Sequence, residues 1–335
     1  MNPSDSFIAL DAMGGDHAPE PMVRGALDAV RLDGRAVLVF GRREVIEPLL
    51  KGVDYPSDRL RIVHCPDIVP MSAKPSVAMR QSESSMARCF RAVKDGEAIA
   101  GVSAGNSGAT MALALRYLGR IKGVTRPAIC LTMPGQGGPR LLLDAGANAV
   151  CSPEMLAQFA LMANCYAQAV FGMESPRVAV LSNGEEEGKG TELTQGAFDR
   201  IQSTSLNFVG YCEGRDLFTD AVDVIVTDGF TGNIALKTLE GTARFIVSQL
   251  KVKIEGSLLA MAGAMLAKGA FEGLKDTLDP SQYGGAPLLG LSGPAIIAHG
   301  SSDALAIRSA IRVAERCAHQ DLTVQIESAL GELTA

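Results

Sequence analysis

The sequence predicts an α/β fold: an open, mixed but mostly parallel sheet with helices on both faces. Three observations carry this. Short apolar, β-branched runs alternate with helix-length segments along the 335 residues, the arrangement of strands buried on both faces. Most of those runs empty into a glycine-rich polar turn, and in open α/β sheets ligands gather at the carboxyl ends of strands. One connection, PGQGGP at 134–139, is too short for a parallel crossover and long enough for a hairpin.

In chain order, strand-like runs fall at 7–11, 36–40, 60–64, 98–103, 128–132, 140–144, 177–182, 206–210, 222–227 and 295–299. Helical segments fall at 21–31, 76–94, 110–118, 153–170 and 303–319. No linker-like composition divides the chain, so one α/β domain over 1–335 is expected, with an amphipathic helical excursion at about 245–278.

Composition narrows the function. Hydrophobic residues at 47% and charged residues at 20% are those of a soluble globular protein. Thirty-one Lys and Arg against 37 Asp and Glu leave a net charge of −6, which argues against a general nucleic-acid binder. Seven cysteines are scattered without a CxxC or zinc-finger spacing, so they read as reduced, buried thiols of a cytoplasmic protein. The N-terminal MNPSDSFIALD lacks the pattern of a secretory signal. The longest charge-free apolar run, 258–267, has ten residues, about half of what spans a bilayer.

The stretch VDVIVTDGFTGNIALKTLEG at 222–241 reads as strand, polar turn and then a helix from Ile234. A helix start there offers unpaired N–H groups and partial positive charge to phosphate or an oxyanion. EAIAGVSAGNSGATMALALRYLG at 97–119 repeats this grammar, with Gly105-Asn106 in the place of Gly232-Asn233. The two units suggest two anion-accepting helix ends facing a shared cleft. Further polar turns are DAMGGDHAP at 11–19, DAGAN at 144–148, SNGEEEGKGT at 182–191 and HGSSD at 299–303. The last but one fails as a P-loop: three residues, all glutamates, separate Gly184 from Gly188, and Gly190 stands where Ser or Thr belongs. Lys189 on that turn is placed either to meet a small phosphate or leaving group or to pair in solvent with Glu185 or Glu187. No GxGxxG follows a strand and no GxSxG nucleophile elbow exists. His17 and His299 lie in strand-top turns as candidate site residues. Without a nucleophile of its own, the chain suits a reaction in which the substrate attacks, as an inorganic phosphate oxygen does.

DAMGGDHAP, SAGNSGA, LLLDAGAN, LSNGEEEGKGT, TDGFTGNIALK, YGGAPLLGL and AHGSSD, in this order, resemble the bacterial phosphate acyltransferase (PlsX) family. The resemblance implies transfer of a long-chain acyl group from acyl carrier protein to inorganic phosphate, giving acyl phosphate for phospholipid synthesis. It also implies a homodimeric three-layer α/β/α fold akin to isocitrate and isopropylmalate dehydrogenases and to phosphotransacetylase, with no metal or organic cofactor. Lys189, Asn233, His17 and Asp16 are then the catalytic candidates. Gly105, Asn106, Ser107, Asn183, Asp228, Thr231, Gly232 and His299 are the candidates for holding phosphate and substrate. Coenzyme A-dependent phosphotransacetylase chemistry and a non-catalytic acyl or phosphate-binding regulator are the rival readings.

Two surfaces follow from that function. At about 100° per residue, Arg80, Arg88, Arg91 and Lys94 form one basic stripe on the helix expected at 76–94, a docking face for the acidic carrier protein. In IEGSLLAMAGAMLAKGAF at 254–271, Ile254, Leu258, Met261 and Met265 recur at helical spacing, and Lys251, Lys253, Lys268 and Lys275 flank them. A greasy face bracketed by lysines suits shallow contact with the inner face of the cell membrane, beside the next, membrane-bound acyltransferase, and suits a subunit contact equally.

Overall fold

The computed structural model describes residues 6–186, 188–271, 273 and 284–333. Glu187, Lys275, Tyr283 and the end of the excursion expected at 245–278 lie outside them. Its strands are β1 (Phe7–Asp11), β2 (Ala36–Gly41), β3 (Leu60–His64), β4 (Ala100–Ser103), β5 (Ala128–Gly135) and β6 (Gly138–Leu143), followed by β7 (Val178–Leu181), β8 (Phe208–Cys212), β9 (Val224–Val226), β10 (Ala286–Leu289) and β11 (Ala295–Ile297). They form one 11-stranded sheet in the order β3-β2-β1-β4-β11-β10-β5-β6-β9-β7-β8. Every residue of β2, β4, β9 and β11 is buried, which is why these strands read as unbroken apolar runs.

The expected hairpin is present: β5 and β6 pair antiparallel up to Gly135 opposite Gly138. It makes the sheet mixed, together with β10, which pairs antiparallel with both β11 and β5. Strand β10 was not foreseen, because Pro287 and the glycines before it argue against a central strand. Its Pro287 lies opposite Ile296.

The helices are α1 (Glu20–Asp33), α2 (Arg43–Leu50), α3 (Pro75–Ala78), α4 (Ser85–Lys94), α5 (Ser107–Leu118), α6 (Pro153–Phe171), α7 (Glu192–Gln202), α8 (Gly229–Glu255), α9 (Leu258–Leu266), α10 (Ala304–His319) and α11 (Leu322–Leu330). Side chains of α1, α2, α6, α7, α10 and α11 pack on one face of the sheet. Those of α3, α4, α5 and the first turns of α8 cover the other. The result is the expected three-layer α/β/α arrangement.

Three helix boundaries correct the sequence reading. The segment 76–94 is not one helix. Ser84 accepts from Ala87 N–H at 3.3 Å to cap α4 and donates to Gln81 O at 2.7 Å, so its hydroxyl ends one turn and starts the next. Arg80 therefore sits off α4, and Arg88 and Arg91 both bond Glu83, at 3.3 and 3.2 Å. The expected stripe is therefore divided: Arg88, Arg91 and Lys94 share α4, and Arg80 does not. Helix α8 begins at Gly229 rather than Ile234, capped by Asp228. The segment 254–271 breaks at Gly256-Ser257, where Ser257 accepts from Ala260 N–H to start α9, so Ile254 belongs to a different helix from Leu258, Met261 and Met265. No described helix is long and apolar enough to cross a membrane.

Asp33 clamps α1 to α10. Its carboxylate accepts from Arg308 at 2.8 and 2.7 Å and from Arg312 at 3.0 and 2.9 Å. The hydrogen bonds from Arg308, then Arg312, hold its carboxyl well below the usual carboxylate range. Because the folded value is depressed, the stabilisation is complete above the unfolded pKa of about 4 and is lost as the pH falls through the folded value. Asp33→Asn is expected to cost about 1.5–3 kcal/mol at pH 7, measured by denaturant unfolding, with the gap to wild type narrowing below about pH 4. Equal stabilities at pH 7 would show that the clamp contributes nothing.

Candidate active site

Three of the polar turns meet at the ends of β1, β4 and β11. Asp11, 1% exposed, ends β1 and accepts from Met13 N–H at 3.2 Å, from Gly14 N–H and from the hydroxyls of Ser85 and Ser103, the last at 2.8 Å. Burial pushes its carboxyl up, and these donors oppose the shift. The Ser103 oxygen in turn accepts Gly105 N–H at 3.1 Å. A Cβ on Gly14 would lie 2.7 Å from Gly105 N, so only glycine lets the loops touch backbone to backbone. Asp16 N–H donates to Gly300 O at 2.7 Å, and its carboxylate lies over Gly300. Exposed His299 accepts Ser301 N–H on Nδ1 at 3.2 Å, which leaves Nε2 to carry the proton of the neutral ring. His17 is exposed on the same loop as Asp16.

Helix α5 starts in this nest. Asn106 caps it, accepting Ala109 N–H at 2.9 Å, while its amide donates to Met71 O at 2.7 Å. These two bonds fix the half-buried side chain at the helix end, with one amide hydrogen still unused. Ser107 N–H, Gly108 N–H and the exposed Ser107 hydroxyl have no acceptor among the described residues. Pro75 packs against Gly108, 3.2 Å from where a Cβ would stand. Exposed Lys74, the residue before it, thereby lies beside the helix start, a cation the sequence reading missed. Only the fold, through the loop at 65–74, brings it there.

The second nest forms at the ends of β6, β9 and β7, which β10 and β5 separate from the first set and which run in the opposite direction, so the two helix starts do not face a shared cleft within one chain as expected. Asp144, fully buried, accepts Ile129, Gly146 and Ala147 N–H at 3.1, 3.1 and 3.0 Å on one oxygen. Its other oxygen accepts Asn148 N–H at 2.7 Å and the Asn148 amide at 3.0 Å. Burial raises this carboxyl too. Asn148 O accepts Gly229 N–H at 2.8 Å, and a Cβ on Gly232 would fall 2.0 Å from Asp144 O, so α8 is seated directly on the loop. The exposed Asn233 side chain lies against Gly146, with its amide unpartnered among the described residues. Asn183 closes the next loop by accepting Gly190 N–H at 3.0 Å. The Lys189 stem folds over Gly184, and its exposed ammonium has no carboxylate partner among the described residues. Glu185 bonds Arg215 instead, at 2.9 Å.

The two helix starts are not equivalent. Asn233 stands inside α8, five residues past its cap, whereas Asn106 is the cap of α5, so the expected match of the two Gly-Asn pairs does not hold. The residue of α8 that corresponds to Asn106 is Asp228, which accepts Thr231 N–H at 2.9 Å and the Thr231 hydroxyl at 2.8 Å. Asp228 and Thr231 therefore satisfy each other, and a carboxylate already occupies the position an anion would take. Helix α10 is likewise capped by Asp303, accepting Ala306 N–H at 2.9 Å. Of these three starts only α5 has a neutral cap. No hydrogen bond joins the two nests among the described residues.

The chain matches known proteins along nearly its whole length. A family model described as "Fatty acid synthesis protein" covers residues 7–325. A phosphate acyltransferase of Leptospira biflexa is 46% identical over 330 residues, 97% of this chain and 97% of the relative. One of Pelotomaculum thermopropionicum is 47% identical over 327 residues, 97% of this chain and 95% of the relative. In fold, the chain resembles a phosphotransacetylase of Streptococcus pyogenes, with a TM-score of 0.64 at 16% identity over 94% of each chain. It also resembles a 4-hydroxythreonine-4-phosphate dehydrogenase of Klebsiella pneumoniae, with a TM-score of 0.55 at 13% identity, covering 93% of this chain and 99% of that one. The motifs, the family model and the relatives agree: the chain belongs to the phosphate acyltransferase family and is an acyltransferase.

Proposed function

We propose that this acyltransferase moves a long-chain acyl group from acyl carrier protein to inorganic phosphate held at the start of α5. The observation that supports it is the neutral-capped start of α5, with the Ser107 and Gly108 donors unsatisfied in a nest of glycine loops. One phosphate oxygen attacks the thioester carbonyl carbon, the C–S bond breaks, and the acyl group leaves on phosphate as a mixed anhydride. The freed thiolate needs a cation or a proton, and the carbonyl oxygen needs a donor while it carries charge. Lys189 is assigned to the thiolate and the Asn233 amide to the oxyanion, both supplied by a second copy of the chain, since within one chain their turns end strands that run opposite to those below α5. His299, His17 and Asp16 border the phosphate, with Lys74 adding charge.

The acyl phosphate is poorly soluble, so its release at a bilayer avoids an aqueous transit. Leu258, Met261 and Met265 are 87%, 44% and 78% exposed, which supports their contact with the inner face of the membrane. Phe245, Ile246, Val247 and Leu250 on the projecting half of α8 are exposed as well. We assign them to pairing with a second copy, giving the homodimer.

Purified protein is expected to consume acyl-acyl carrier protein only when phosphate is added. Consumption without phosphate, or with acyl-coenzyme A alone as donor, contradicts the reading. Lys189→Ala and Asn233→Ala should each lower turnover about 100- to 1000-fold and leave the melting temperature nearly unchanged, since both side chains are exposed. Near-normal turnover in either variant removes that residue from the chemistry. In vesicle sedimentation, Leu258→Glu should abolish binding to anionic vesicles while dimer and soluble activity persist. Dissociation to monomers would make α9 a subunit contact instead.

A further inference from the structure

We infer that Ser103 and Asp11 are positioning residues for phosphate: the chain from Gly105 N–H to the Ser103 hydroxyl to the Asp11 carboxylate aims the donors at the start of α5. The inference rests on the reading that phosphate binds at that helix start.

Neither side chain reaches a ligand. Ser103 is fully buried and Asp11 is 1% exposed, so both act through the backbone they hold. The two links of the chain measure 3.1 Å at the Gly105 amide and 2.8 Å at the carboxylate. Gly105 immediately precedes the cap, so the orientation of its peptide sets where Asn106 enters α5 and where the N–H groups of Ser107 and Gly108 point. Asp11 fixes the opposing loop through Met13 and Gly14 N–H, and Gly14 bears on Gly105 so closely that a Cβ there would stand 2.7 Å from its nitrogen. On the other side, a Cβ on Gly105 would meet Met86 at 2.4 Å. The peptide is therefore held by packing from two sides and by one hydrogen bond from beneath. Removing that bond leaves the Gly105 amide buried without an acceptor and free to rotate only at the expense of the cap.

A carboxyl group buried this deeply is costly to desolvate unless its oxygens find donors. A simple strand end does not need it. A rigid donor array does, because donors fixed before the ligand arrives need no reorganisation when it binds.

The test compares Ser103→Ala, Ser103→Thr, Ser103→Cys and Ser107→Asp in the full-length protein, reading the KM for phosphate, the KM for acyl-acyl carrier protein, kcat and the melting temperature. Ser103→Ala is expected to raise the phosphate KM about tenfold, the effect of one hydrogen bond, with the acyl-donor KM within about twofold of wild type. Ser103→Thr keeps the hydroxyl and should restore the phosphate KM. Ser103→Cys keeps the volume, weakens both bonds and should fall between, and it carries the test if Ser103→Ala does not fold. Ser107→Asp places a carboxylate among the donors and should raise the phosphate KM further. If Ser107→Asp raises it while Ser103→Ala and Ser103→Cys lower only the melting temperature, Ser103 and Asp11 are structural and the inference is overturned. If Ser107→Asp leaves it unchanged, phosphate does not bind at α5 and the underlying reading fails instead.

Discussion

Both loop clusters depend on a carboxylate buried where a strand ends. Asp11 closes β1 and Asp144 closes β6, and each gathers the amides of the turn that follows it into its own two oxygens. A carboxyl group taken out of water is tolerated only when its oxygens have partners. That demand fixes the turn: were the loop to move, several bonds to a desolvated polar group would be lost together. Asp11 in this way holds the start of α5, and Asp144 holds the start of α8.

What the two helices do from there differs because of one residue each. Asn106 caps α5 without charge, so the field of the helix is left for a ligand. Asp228 caps α8 with a charge, so that field is already answered. The α8 nest is left with what its surface presents, the Asn233 amide and the Lys189 ammonium. One nest suits an incoming anion, and the other suits charge that develops during a reaction. Whether a cap is neutral or anionic is a one-atom difference, yet it leaves the field of only one of these two helix starts unanswered.

Much of this was legible in the sequence. The alternation of apolar runs with helical segments gave the layered sheet, and the brevity of PGQGGP gave the hairpin. The motifs in register gave the family. What failed was local. A serine run broke the expected helix at 76–94, since Ser84 offers its hydroxyl to the backbone in place of a helical turn. The start of α8 was placed five residues late, because Gly229 and Gly232 read as turn residues. They are glycine for another reason: Asp144 and its loop press against them. The buried carboxylates carry a pattern, Asp-Ala following an apolar run at 11–12 and again at 144–145, but nothing local distinguishes a buried aspartate at a strand end from an exposed one. Lys74 had no local signal, since the loop that carries it reaches α5 only in three dimensions.

The central claim, that the neutral cap of Asn106 makes the start of α5 the phosphate site, is open to direct observation. A crystal structure of the protein in inorganic phosphate is predicted to place phosphate oxygens within hydrogen-bond reach, about 2.7–3.2 Å, of Ser107 N and Gly108 N. Phosphate density at the Lys189 and Asn233 nest, with the start of α5 empty, would contradict it.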